Sequence, residues 1–206
     1  MSESFIRQSP LAPLGLAARA RTAAGAGVVL AEIPRRGQIV LRGDASKKAF
    51  RDAVARAIGI APPERPNLVA GPADLALGPR ALWLGPEEWL VATAPDATAA
   101  TLDALSKALA DHHAAVVDVS DARAVIRLSG PAARAVLAKG CSLDLHPRVF
   151  VPGQCGQSLL ARAGVLMHQV TIDPIYEIYV ARSFAHYLWT WLEDAAAEYS
   201  LAIGAA

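Results

Sequence analysis

The side chains able to do chemistry are few and scattered along the chain. Cys141 and His146 are close enough in sequence to suggest a nucleophile and its base. Asp118, Ser120 and Asp121 form a second polar group. Nucleophilic catalysis also needs a group that orients the base and donors that receive an oxyanion, and neither set carries that signature. Asp118 in a strand and Asp121 in the turn after it also fit a structural role. His112 and His113 are consecutive, so on a helix end they diverge by ~100° and on a strand they point to opposite faces. They read as solvated residues at a helix C-terminus, where cations are favoured. Cys141 and Cys155 lie 14 positions apart, neither a redox pair nor a zinc-ligand spacing, and read as free thiols. Gly153-Gln154-Cys155-Gly156 lacks the lysine and the helix-opening glycines of a phosphate loop. Ser129-Gly130-Pro131 is accounted for by helix initiation. The residues therefore predict no catalytic, cofactor-binding or metal site.

Composition narrows the class. The chain has 206 residues, 53% of them hydrophobic, and 44 alanines account for much of that share. The excess is small-residue helix surface rather than a lipid-facing belt, and apolar stretches stop well short of the ~18 residues a membrane span requires. Twenty basic and 19 acidic residues leave a net charge of +1, which gives no electrostatic footprint for nucleic acid. Only Arg35-Arg36 stand together among scattered arginines. The N-terminus lacks the basic segment and apolar run of a secretory signal, so the expected compartment is the cytoplasm.

The elements that must position these residues follow from periodicity. Residues 1–36 read as an N-terminal arm, with Ser9-Pro10-Leu11-Ala12-Pro13 blocking helix. Organised structure is expected from near Ala31, and Gln38 to Arg42 as the first firm strand. Gly43-Asp44 turns into a helix capped by Asp44, with Phe50, Ala53, Val54, Ala57 and Ile58 on one face and Gly59 as its stop. Residues 61–80 hold five prolines and read as a surface loop with a short strand at Leu75-Ala76-Leu77. Two apolar runs around Gly85-Pro86-Glu87-Glu88 predict a hairpin. A helix from Ala97 to Ala110, capped by Asp96, carries Leu102, Leu105 and Leu109. Strands follow at Ala115 to Val119 and Ala124 to Leu128. Pro131 then opens a helix that stops at Gly140. Ser158 to Ala163 and Val165 to Val170 pair around Gly164. Glu177 lies among Ile175, Tyr176, Ile178, Tyr179 and Val180 in the last strand, before a helix from Ser183 to Tyr199.

This order contains a repeat. Gly43 and Gly130 each close a strand and open a helix at an offset of 87 residues, which Phe50 and Leu137, and Trp89 and Tyr176, share. The expected fold class is α+β, with mostly antiparallel sheets, helices on one face and a duplicated β-α-β-β-α unit. The halves are placed at 37–114 and 115–206, both in one compact domain.

On the terminal helix, Phe184, Leu188, Trp191, Leu192, Ala195 and Tyr199 form one apolar face at ~100° per residue. Trp189 falls off that face beside His186 and Glu193. The ring either covers a neighbouring loop or anchors a partner protein, and Trp189, His186 and Glu193 are the candidate interface residues.

Several segments together resemble one family. Trp83-Leu84-Gly85-Pro86-Glu87-Glu88-Trp89-Leu90 resembles a stretch of the gamma subunit of heterotetrameric sarcosine oxidase. So do Val125-Ile126-Arg127-Leu128-Ser129-Gly130-Pro131-Ala132-Ala133, its continuation from Leu137 to Leu145, and Arg182-Ser183-Phe184-Ala185-His186-Tyr187-Leu188-Trp189. The resemblance spans Ala81 to Glu198, and Ser9-Pro10-Leu11 is similar to the family's start; residues 61–80 match nothing in it. It implies a complex that oxidises sarcosine to glycine, passes the one-carbon unit to tetrahydrofolate and gives peroxide. FAD, FMN, NAD and the folate site are then expected on the alpha and beta subunits, and zinc on the delta subunit. It further implies a fold similar to the folate-binding domain of the glycine-cleavage aminomethyltransferase, and no catalytic residue in this chain. The expected role is a non-catalytic subunit that docks to the alpha subunit within an assembly with beta and delta, self-association of the isolated chain being left open. The alternatives are a stand-alone folate-binding or one-carbon transfer protein, and an unrelated homo-oligomeric structural protein.

Overall fold

Strict alternation along the strands sorts side chains into two faces, and here both faces of each sheet are covered. A computed structural model describes residues 8–20 and 24–205. Its strands are β1 (Val28–Glu32), β2 (Gly37–Arg42), β3 (Val69–Ala70), β4 (Arg80–Gly85), β5 (Glu88–Thr93), β6 (Ala115–Asp118), β7 (Arg123–Ser129), β8 (Cys155–Leu160), β9 (Ala163–Thr171), β10 (Ile175–Ala181) and β11 (Leu201–Ile203). Its helices are α1 (Leu16–Arg19), α2 (Lys48–Ile58), α3 (Thr98–Ala108), α4 (Ala133–Ala138) and α5 (Ala185–Ala196). One sheet has the order β3-β4-β5-β2-β6, the other β8-β9-β10-β7-β1-β11.

The two orders show the duplication. From β2 to β6 the chain runs β-α-β-β-β-α-β, and from β7 to β11 it does so again. The second sheet differs by the insertion of β1, antiparallel to β7 and parallel to β11. Registers repeat at the same offset of 87, because Trp89 pairs with Leu41 and Tyr176 with Leu128. The expected α+β class with antiparallel sheets is therefore present, and each half closes with a strand after its second helix.

Four layers result. Ile39, Leu41, Trp89 and Val91 point from the first sheet toward Phe50, Val54 and Leu105 of α2 and α3. Ile126, Leu128, Tyr176, Ile178 and Val180 point from the second toward Val136, Leu137, Leu188 and Leu192 of α4 and α5. The opposite faces of both sheets meet, with Leu82, Leu90, Ala92, Val125, Leu166 and Tyr179 in one middle cluster.

Gly43 and Gly130 occupy equivalent turns for different reasons. A Cβ on Gly43 would lie 2.3 Å from the Phe50 ring. Gly130 has φ of +107°, and a Cβ there would lie 2.6 Å from the Gly27 carbonyl oxygen.

Several expectations are corrected. The arm does not extend to residue 36: β1 is an interior strand of the second sheet, and Leu11 is fully buried in that sheet's helical core. Residues 115–118 belong to the first half, since β6 pairs with β2. Asp44 does not cap α2, which starts at Lys48; its Oδ1 accepts from the Ser46 amide and hydroxyl in a tight turn. Leu75-Ala76-Leu77 is a 3-10 turn capped by Asp74, and the short strand of that loop is β3. Asp96 lies inside a 3-10 turn leading into α3 rather than at its cap. The β8–β9 hairpin turns at Ala161, with φ of +52°, not at Gly164.

Candidate functional site

Period two places one acid and several cations between the sheets. Glu177 of β10 shares a face with Tyr179, Arg127 of β7 shares one with Val125, and His168 of β9 shares one with Leu166. From the other sheet come Arg80 of β4, on the face of Leu82, and Arg36 just before β2. Arg80, Glu177 and His168 are each 1–2% exposed, and Arg36 8%.

Glu177 collects the cations. Its Oε1 accepts from Arg36 Nη2 at 2.9 Å and from Arg127 Nη2 at 2.9 Å. Its Oε2 accepts from Arg80 Nη1 at 3.2 Å and from the Tyr179 hydroxyl at 3.2 Å. Arg80 Nη1 also lies 2.9 Å from His168 Nδ1. The remaining Arg80 donors go to the proline-rich loop: Nε donates to the Pro72 carbonyl at 2.9 Å, and Nη2 to that of Ala73. Trp89 Nε1 likewise donates to the Pro63 carbonyl at 2.8 Å. The five prolines thus serve a purpose: a loop with little regular structure leaves its carbonyls free to receive buried donors.

The protonation states follow. Burial pushes the Glu177 carboxyl up, but the charges of Arg36 and Arg80, with Arg127, outweigh it and hold the pKa below its ordinary value. Burial drives His168 down to about 3, with the Arg80 charge acting the same way, so it is neutral and its Nδ1 accepts from Arg80. Tyr179 is raised by burial and by the adjacent Glu177 charge. None of Glu177, His168 and Tyr179 is poised to exchange a proton near neutral pH. The arrangement can clamp one sheet to the other.

The other candidate residues are placed separately. Trp189 is fully buried in the core of the second sheet, together with Leu11 and Leu188. The ring is therefore not exposed for a partner. The buried stripe of α5 is Ala185, Leu188, Trp189, Leu192, Ala195 and Ala196, rotated by about 50° from the expected face at 100° per residue. Phe184 is instead 44% exposed. The reason lies in the arm: α1 is tied to α5 by the Arg19–Glu193 ion pair, so the helix has a second covered side. Glu193 is half-buried in that pair, and His186 is exposed. Cys141 Sγ lies 4.0 Å from Ser158 Oγ, while His146 Nδ1 accepts from the Arg148 amide at 3.2 Å, so each of the two has its own neighbour. Asp118 Oδ1 accepts from the amide and hydroxyl of Ser120, closing a turn. His112 packs edge-on to Phe50. Both cysteines are free, and burial raises the Cys155 thiol to about 12, which makes it inert. Among the described residues no three His, Cys, Asp or Glu side chains gather as a metal site.

The Glu177 cluster went unnoticed in the sequence, although one signal could have revealed it. At the offset of 87, Glu177 corresponds to Leu90 and Arg127 to Val40, so an ion pair in one half replaces an apolar pair in the other.

Comparison with known proteins decides the family. Residues 42–198 match the model of the sarcosine oxidase, gamma subunit family. The chain belongs to this family. The sarcosine oxidase subunit gamma of Corynebacterium sp. strain U-96 is 37% identical over 198 residues, covering 96% of this chain and 93% of that one. Its counterpart from an Arthrobacter species is 36% identical, covering 97% and 95%. Among solved structures, a chain of the heterotetrameric sarcosine oxidase of Corynebacterium sp. U-96, in complex with pyrrole 2-carboxylate, matches with a TM-score of 0.82 and 35% identity, covering 94% of this chain and 96% of that chain. The glycine cleavage system aminomethyltransferase T of Bartonella henselae matches with a TM-score of 0.66 at 16% identity, covering 95% of this chain and 51% of that one. That likeness shows the fold alone: this chain folds like about half of that chain.

Proposed function

We propose that this chain is a subunit of a heterotetrameric sarcosine oxidase, that it contributes no catalytic group, and that it acts by docking to the alpha subunit in an assembly with beta and delta. The observation that carries the reading is the TM-score of 0.82 to a chain of such a complex, with nearly all of both chains superposed. In this reading the complex converts sarcosine to glycine, with one-carbon transfer to tetrahydrofolate and peroxide formation, in the cytoplasm. FAD, FMN, NAD, zinc and tetrahydrofolate belong to the other subunits. Support comes from the polar groups between the sheets, whose hydrogen bonds go to one another and to loop carbonyls. No described helix is long and apolar enough to cross a membrane.

The test is co-elution of the purified chain with alpha, beta and delta subunits, scored for sarcosine-dependent peroxide. A stable four-chain complex at micromolar concentration is expected. A chain that elutes alone overturns the docking role. Titration of micromolar tetrahydrofolate into the chain alone separates the folate-binding alternative, since no saturable heat is expected from it. A fixed oligomer of the isolated chain that excludes the other subunits would favour the homo-oligomeric alternative.

A further inference from the structure

A cleft opens beside the buried cluster where four stretches of the chain converge. It is lined by the arm at Gln8 to Pro10, the β1–β2 turn, the β6–β7 turn and Arg182, and encloses about 200 Å³. Four guanidinium groups line it, those of Arg35, Arg36, Arg123 and Arg182, against the two carboxylates of Glu32 and Asp121.

The acids are engaged elsewhere in part. Glu32 accepts a hydrogen bond from the Ser9 hydroxyl. Arg182 spends one donor on the Gln8 carbonyl at 2.7 Å. Among the described residues no carboxylate lies within ion-pair distance of Arg35 or Arg123. Arg36 joins the cleft to the cluster behind it. Its Nη2 donates to Glu177, while its Nε is buried and has no hydrogen-bond partner. A buried guanidinium donor left unpaired is costly, so the Arg36 charge is incompletely met on the side of the cluster.

We propose that this cleft binds a small oxyanion, a carboxylate or a phosphate group, held between the guanidinium groups of Arg35, Arg36 and Arg123. Guanidinium forks match both groups in charge and in geometry. The volume suits a small molecule rather than a folded partner surface. The site is separate from the docking role and does not rest on it.

The test uses the full chain, titrated calorimetrically with inorganic phosphate and, in a second arm, with succinate, at constant ionic strength balanced by chloride. Saturable binding in about the millimolar range is expected. Arg35→Gln and Arg123→Gln should each weaken it by about tenfold, as loss of a charge-assisted hydrogen bond does. Arg35 is exposed and Arg123 half-buried, so both variants should keep the native circular dichroism and melting curve, which are measured alongside. The tighter arm identifies the source, a phosphate ester or a carboxylic acid. No heat in either arm overturns the proposal, and so does binding that both variants retain in full. Binding that disappears when the chain is assembled with its partner subunits also overturns it, and would make the cleft a contact for an acidic segment of a partner.

Discussion

At the scale of single residues, Glu177 decides whether the layer between the sheets holds. Desolvating a carboxylate and several guanidinium groups costs several kcal/mol per ion, and the mutual attraction offsets this only while all partners are present. Glu177→Gln keeps the shape but leaves Arg36, Arg80 and Arg127 facing one another without their anion. A loss of about 3–5 kcal/mol in urea-unfolding free energy is expected. His168 gives a separate signature in pH. Its folded pKa of about 3 lies below the ordinary 6.5, so as pH falls below 6.5 the unfolded chain takes up a proton that the folded chain refuses. Stability should therefore decline by about 1.4 kcal/mol per pH unit from this group. His168→Gln retains an acceptor for Arg80 and should flatten the profile by that slope between pH 6.5 and 4.5. The Glu177 carboxyl, held below its ordinary value of 4.5, stabilises the fold above that pH, and its contribution is lost only as pH falls further. The two groups thus act in different windows, and equal slopes in native and His168→Gln protein between pH 6.5 and 4.5 would refute the assignment.

At the scale of elements, alternation and helical spacing account for most of the architecture, and their failures have local causes. The hairpin of β4 and β5, the strands β2, β7 and β10, and the αL stop of α2 at Gly59 follow from short-range patterns. Helix starts depart from the local pattern, because Asp44 satisfies a neighbouring turn instead of the first amides of α2, and Asp96 lies within the 3-10 turn that precedes α3. The buried face of α5 departs from helical spacing toward one partner because the helix has two, the sheet and the arm. Trp189 is consequently core. Trp189→Ala should lower stability by about 3–5 kcal/mol. Its effect on assembly should match the fraction of chain unfolded, which analytical gel filtration beside thermal melts would resolve. Gly130→Ala tests the repeated turn. Its φ of +107° and the close approach to Gly27 predict a loss of about 1–3 kcal/mol in chemical denaturation.

At the scale of the whole molecule, the halves are interlocked rather than adjacent. β1 precedes the first half but lies inside the sheet of the second, and the middle layer draws side chains from both. One calorimetric transition is expected, with equal calorimetric and van't Hoff enthalpies, and two resolved transitions would contradict the interlocking. Residue order alone determined the α+β class and the doubling, because these reside in local periodicity and in the repeat of 87 residues, and it carried the family resemblance through segments such as 83–90 and 125–133. Only the tertiary structure decided that Arg36, Arg80, Arg127 and His168 converge on Glu177, that the proline-rich loop supplies carbonyls to buried donors, and that Trp189 lies inside. Those contacts join positions as far as 141 residues apart, and no local pattern encodes which sheet faces meet.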